Sequence, residues 1–151
     1  MDYIDKKIIF ILQRQADLPL SEISKRVGLS QTPCWNRIKK LEEDGVIEKK
    51  VTLINKRKVN LPITVFLMIT VRNHNSDWIK KFSEILKKYK NILEAHWITG
   101  SQADYIIKIV AGSIEEYDKF QQVLIKNIEF NSMSSGISLQ ELKRTTILPL
   151  K

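Results

Sequence analysis

Cysteine is almost missing from this chain of 151 residues, which has one, Cys34, and histidine occurs only as His74 and His96. A single thiol excludes an intrachain disulfide. One cysteine with two histidines is also too few donors for a zinc site of sulfur and nitrogen ligands. Neither a metal nor a cofactor is expected. No run of about eighteen apolar residues occurs, the length that spans a bilayer. The N-terminus is acidic and amphipathic where a secretion signal would be basic and then apolar. These features give the expectation of a soluble, cytoplasmic protein. With 43% hydrophobic and 28% charged residues the composition is that of a folded chain, enough for one ordinary domain or two small ones.

Acidic residues are in the minority, and they are unevenly spread. The net charge is +8, and residues 1–60 hold thirteen Lys/Arg against eight Asp/Glu, whereas the remainder holds twelve against nine. The positive excess therefore gathers toward the N-terminus. A basic module attracts polyanions through counterion release, although basic surfaces also occur on proteins that never meet nucleic acid.

Apolar spacing divides that N-terminal part into three helices. From Asp5 to Gln15, Ile8, Ile11 and Leu12 continue a stripe begun by Ile4, with Lys6, Lys7 and Arg14 opposite. After the break at Asp17-Leu18-Pro19-Leu20, Ser21 is expected to cap a helix of about two turns that carries Ile23 and Val27 and stops at Gly28. Ser30 caps the third, which holds Pro33 in its first turn, where a missing N–H costs nothing. Cys34, Ile38 and Leu41 form its inner face, with Cys34 a small apolar filler. Two short helices joined by Gly28-Leu29-Ser30, the second with a polar outer face, fit a major groove about 12 Å wide. That face holds Gln31, Thr32, Trp35, Asn36, Lys39 and Lys40. Gln31 and Asn36 suit an adenine edge, Thr32 a thymine methyl or a phosphate, and Arg37, Lys39 and Lys40 suit phosphates. A solvated face in a helical bundle would have much the same composition.

The next residues favour the DNA-reading alternative. Val46–Ile54 reads as two short β segments around a Lys49-Lys50 tip, a wing whose lysines would lie over a phosphate backbone. Asn55-Lys56-Arg57-Lys58 adds a basic linker. The expected limits are a winged helix-turn-helix over 1–54, a linker over 55–61 and a second domain over 62–151.

In the second half, Ile63–Val71 is an apolar, β-branched run suited to a buried strand, and Asp77–Tyr89 is an amphipathic helix with Trp78, Phe82, Ile85 and Leu86 inward. Ile92–Ile98 and Tyr105–Val110 read as strands around a Gly100 turn. Ser113 caps a helix carrying Tyr117, Phe120, Val123 and Leu124, and Ser134–Leu142 reads as a closing strand. The fold class is therefore α+β, an N-terminal winged helix-turn-helix followed by a ferredoxin-like β-α-β-β-α-β domain. Helices on one side of such a sheet leave the other side open. Because Phe66–Val71 is apolar toward both sides, a homodimer through the open face is expected, presenting two recognition helices to two DNA half-sites.

The run LSEISKRVGLSQTPCWNRIKKLEEDGVI, preceded by YIDKKIIFILQ, resembles the DNA-binding domain of the leucine-responsive and asparagine-specific (Lrp/AsnC, feast/famine) regulators. FLMITV, ILEAHWITGSQADYIIKI and SGISLQELKRTTILPL resemble the strands and tail of that family's effector domain, so the likeness covers essentially the whole chain. It implies a transcription regulator that binds double-stranded DNA, forms dimers that often assemble into octamers, and senses an amino acid near the turn Thr99-Gly100-Ser101-Gln102-Ala103-Asp104-Tyr105. A zwitterion needs free backbone N–H groups for its carboxylate and an acceptor such as Asp104 for its ammonium. Ser134, Ser135, Gly136, Ser138 and Gln140 of the closing strand would add polar contacts. Three residues separate Gly100 from Asp104 where the family's turn has two, so a reshaped loop is expected. Two other classes share this architecture: an enzyme of the sirohaem-decarboxylase type, which would use histidines and basic residues in a tetrapyrrole pocket, and a DNA-organising protein without an effector. The scarcity of histidine and the polar third helix speak against the enzyme.

Overall fold

The computed structural model describes residues 1–100 and 102–151. The chain forms two compact units, one made of Met1–Leu53 together with Leu142–Lys151, the other of Ile54–Glu141. The final ten residues thus group with the N-terminal helices, and not with the sheet to which their place in the sequence would attach them.

The first unit contains α1 (Tyr3–Leu12), α2 (Leu20–Val27) and α3 (Gln31–Glu43). Helix α1 opens on a reciprocal cap: the Asp2 carboxylate accepts from the Asp5 N–H and the Asp5 carboxylate accepts from the Asp2 N–H, both at 2.9 Å. Ile8, Ile9 and Leu12 of α1, Ile23 and Val27 of α2, and Cys34, Ile38 and Leu41 of α3 close one buried core, on the spacing expected of three amphipathic helices. Helix α2 begins two residues earlier than Ser21 predicts, because Pro19 stands at its N-cap and its carbonyl takes the N–H groups of Glu22 and Ile23 at 3.0 and 3.1 Å. Gly28 ends α2 at φ 75°, a left-handed conformation that favours glycine, and the Leu29 N–H turns back to the Ser24 carbonyl at 2.9 Å.

The wing is not built as expected. Among the described residues no β-strand forms between 46 and 54. Ile47 is anchored by its N–H to the Leu41 carbonyl at 3.0 Å, but Val51, Leu53 and Ile54 stay exposed. An isolated two-stranded ribbon is marginal in water, and a Lys-Lys tip lacks the glycine or asparagine that a two-residue hairpin turn prefers. The basic stretch after it is likewise not a free linker. Lys56–Val59 forms a single tight helical turn capped by the Asn55 side chain, the Lys56 ammonium donates to the Thr64 hydroxyl, and the whole stretch belongs to the second unit.

That second unit has the predicted order β1 (Ile63–Thr70), α4 (Ser76–Lys88), β2 (Ile92–Trp97), β3 (Tyr105–Ala111), α5 (Ile114–Asn127) and β4 (Ser132–Ile137). The sheet is antiparallel, with spatial order β2-β3-β1-β4. Val65, Leu67 and Ile69 of β1 and Tyr105, Ile107 and Ile109 of β3 share one core with Trp78, Phe82 and Ile85 of α4 and Tyr117, Phe120 and Leu124 of α5. Asn75 caps α4 and Ser113 caps α5, each side chain accepting an N–H of the first turn. Strand β4 is shorter than expected, ending at Ile137 opposite Val65, with Leu139 and Leu142 exposed beyond it.

The alternate side chains of the strands define the open face. Phe66 is 38% exposed there, beside partly buried Met68 and Ile106. Polar groups flank them: Lys108 pairs with Glu94 at 2.8 Å, and the Thr70 and Ser132 hydroxyls meet at 2.6 Å. The face is a small apolar centre in a polar frame rather than the uniformly apolar surface that the β1 run suggests.

Candidate functional site

Helix α3 separates its two faces cleanly. Cys34, Ile38 and Leu41 are buried, whereas Gln31, Thr32, Trp35, Asn36, Lys39 and Lys40 are all exposed. Burial also pushes the Cys34 thiol above its ordinary pKa, which makes it an inert filler rather than a reactive group. Trp35 is 49% exposed, with the Lys39 ammonium 5.0 Å from its ring centre, so that a cation and an aromatic plane share one spot on the outer face.

Ser30 takes the extended backbone of an N-cap, yet its hydroxyl makes no capping bond. The reason lies in the sequence: a capping oxygen reaches the second or third N–H of a helix, and the third position here is Pro33, which has none. Among the described residues, the first turn of α3 thus keeps N–H groups that no cap side chain engages, beside the Ser30 hydroxyl, an arrangement suited to a phosphate.

Arg37 does not stand with the free cations of α3. Its guanidinium reaches Asp2 at 2.6 Å and Asp5 at 2.7 Å, the same two carboxylates that cap α1. The Asp5 and Asp2 carboxylates raise the Arg37 pKa further. The Asp2 carboxyl is held below its ordinary value, first by the Asp5 N–H and then by Arg37. Arg37 therefore fixes α3 onto the start of α1. Its neighbours are also partly engaged, since Lys39 lies 3.8 Å from Glu43 and Lys50 lies 3.1 Å from Glu42. Lys40 and Lys49 are exposed and form no ion pair among the described residues.

In the sheet unit the turn between β2 and β3 contains Gly100 at φ 76° and exposed Thr99 and Gln102; Ser101 lies outside the described residues. Asp104 is built into the frame. Its carboxylate accepts from the Val71 N–H at 2.7 Å, its own N–H donates to Ile69 O at 2.9 Å, and its carbonyl accepts from the Ile98 N–H at 2.8 Å. The acceptor expected for an ammonium thus already ties the end of β1 to the turn. Ser134 is exposed opposite Met68 on the open face, and Ser138 bonds through its N–H to the Thr64 carbonyl at 2.9 Å. Ser135 points to the other side of the sheet, where its hydroxyl meets that of Tyr117. Gly136 pairs with Phe66, and Gln140 is exposed.

One group beside this turn was not foreseen from the sequence. The His74 ring lies 5.9 Å from Trp97, 5.7 Å from Tyr105 and 6.0 Å from Trp78, with its Nε2 buried and without a hydrogen-bond partner among the described residues. Trp97, stacked over it, is 73% exposed. Only the aromatic residues flanking the turn hinted at such a cluster, since His74 joins it from a loop far away in sequence. His96, on β2, is exposed and lies 3.7 Å from Glu94.

Comparison with known proteins accounts for both units. Residues 1–48 match the model described as winged helix-turn-helix DNA-binding, and residues 64–148 match the Lrp/AsnC ligand binding domain. The chain belongs to the Lrp/AsnC family. The glutamate uptake regulatory protein of Zymomonas mobilis is 39% identical over 150 residues, covering 99% of this chain and 91% of that protein. An AsnC family transcriptional regulator from Agrobacterium tumefaciens has the same fold at TM-score 0.93 and 41% identity, over 99% of this chain and 97% of that one. A transcriptional regulator from Neisseria meningitidis, solved as its L-Met complex, matches at TM-score 0.93 and 29% identity over 99% and 96% of the two chains. Like these Lrp/AsnC relatives, the chain is a DNA-binding transcriptional regulator. No helix among the described residues is long and apolar enough to cross a membrane.

The Arg37 fork makes a pH-dependent prediction. A carboxyl with a depressed folded-state pKa contributes stability above its unfolded value, 3.8 for Asp2, and loses it as pH falls through the lower folded value. Arg37→Met is therefore expected to lower the urea midpoint at neutral pH. The gap from wild type should narrow as pH drops below that carboxylate range. A gap of equal size at both ends of the titration would show that the fork is not what holds the two helices.

Proposed function

We propose that the protein reads a specific DNA site with the outer face of α3 and adjusts that binding to an amino acid held beside the β2–β3 turn. The observation that carries the first half is the division of α3: its apolar side chains and Arg37 are committed inward, leaving Gln31, Thr32, Trp35, Asn36, Lys39 and Lys40 outward. Gln31 and Asn36 are assigned to base edges, and Ser30, Thr32, Lys39 and Lys40 to phosphates. Lys49 and Lys50 meet the adjacent backbone from a loop rather than from a strand pair. Arg37 serves by positioning α3.

The second half is supported by the match to a ligand binding domain and by the L-Met complex of the Neisseria relative. In this reading the backbone around Thr99, Gly100 and Gln102 receives the effector carboxylate. The Asp104 oxygen not engaged with Val71 faces its ammonium, and Ser134 and Ser138 lie nearest on the closing strand. The working unit is a homodimer joined through the open sheet face around Phe66, acting in the cytoplasm where the DNA is, with no catalytic step of its own.

Two experiments test this function. Asn36→Ala should weaken binding only where particular bases are present. Lys49→Ala with Lys50→Ala should weaken all duplexes alike and reduce the slope of log K against log salt by about two, near 0.9 for each phosphate that is no longer neutralised. Equal losses on specific and random DNA for both variants would overturn the assignment. For the effector, a thermal-shift screen of the proteinogenic amino acids should reveal at least one that raises the melting temperature, since a ligand of the folded state stabilises it. A screen without any shift would contradict the amino-acid reading and leave the DNA reading standing.

A further inference from the structure

The last ten residues, Leu142–Lys151, form no helix or strand, yet they belong to the DNA-reading unit. Among the described residues, the hydrogen bonds that join them to the helices come from one side chain. Gln13, the C-cap of α1, accepts the Leu148 N–H with its Oε1 at 2.6 Å and donates from its Nε2 to the Leu148 carbonyl at 3.3 Å. A side-chain amide meeting both polar groups of one residue copies a rung of an antiparallel ladder. It requires that residue to be extended, and Leu148 precedes Pro149, which disfavours the helical conformation there. Gln13 itself is fixed by its N–H to the Ile9 carbonyl at 2.9 Å, and the Thr145 hydroxyl accepts from the Ile147 N–H at 3.1 Å just before the latch.

The charge of this tail matters to the unit it joins. Residues 1–53 carry ten Lys/Arg and eight Asp/Glu, a net of +2, and three of those cations, Arg37, Lys39 and Lys50, already face carboxylates. The tail adds Lys143, Arg144 and Lys151 with no acidic residue, bringing the unit to +5. All three are exposed, and none forms an ion pair among the described residues. More than half of the net positive charge of the DNA-reading unit thus comes from its docked tail, whereas Lys56, Arg57 and Lys58, the expected basic linker, group with the sheet.

We infer that the C-terminal tail is a second DNA-contacting element, latched to α1 by Gln13 and meeting the phosphate backbone through Lys143 and Arg144. This rests on the DNA-reading assignment and adds to it a sequence-independent share of the affinity. Phosphate contacts of this kind hold the protein on the duplex without telling bases apart.

The test compares the full-length protein with Lys143→Ala/Arg144→Ala and with Gln13→Ala. Binding is measured to a specific and to a random duplex over a range of salt, and melting temperatures establish that each variant is folded. The double variant should lower the salt slope by about two on both duplexes, near 0.9 per phosphate neutralised. Gln13→Ala, which removes no charge, should weaken binding several-fold on both. A double variant with the wild-type slope would overturn the tail as a phosphate-binding element, and a Gln13 variant with wild-type affinity would overturn the latch. If the wild-type protein bound neither duplex, the DNA-reading assignment itself would fall, a result distinct from either.

Discussion

How α3 meets DNA depends on how it is held from behind, and one small ionic network sets that position. Asp2 and Asp5 cap each other's N–H groups at the start of α1 and, with the same carboxylates, grip the Arg37 guanidinium on α3. Exposed ion pairs contribute little by themselves, but this one is forked and its acceptors are fixed by the cap they belong to. Its value is geometric: it sets how α3 lies on α1, while Cys34, Ile38 and Leu41 close the core beneath.

Once the inner face is so committed, the outer face is free for recognition. Ser30 and Pro33 extend the same logic to the helix start, where a proline in the third position leaves the cap hydroxyl without its usual partner. In the sheet unit the equivalent economy appears at Asp104, which closes the β1 end and borders the turn assigned to the effector. A residue that shapes the frame thus sits directly beside the turn proposed for the effector.

The order of helices and strands was legible because their periodicities differ and their ends are marked. Gly28 stops α2, Ser113 starts α5, and β1 and β3 read as apolar runs. Local signals misled where a long-range partner or a missing one decided the outcome. Val46–Ile54 has strand composition but no third strand to pair with, and Ser21 yielded the cap position to Pro19. Arg37 looked like a phosphate-binding residue because its acceptors lie some thirty residues away in sequence. Its place in the series Cys34, Arg37, Ile38, Leu41, at inner-face spacing, was the available clue. The His74 cluster and the Gln13 latch join residues still further apart in kind, a loop to two strands and a helix end to a tail, and no periodicity announces either.

The central claim is that the outward side chains of α3 enter the groove while its inner face stays packed. Nuclear magnetic resonance shift mapping during titration with an operator duplex tests this most directly. The account predicts that the Trp35 indole N–H and the side-chain amides of Gln31 and Asn36 move, while the methyl groups of Ile8, Ile38 and Leu41 do not. Shifts confined to the sheet unit, with the α3 amides unmoved at saturation, would contradict it.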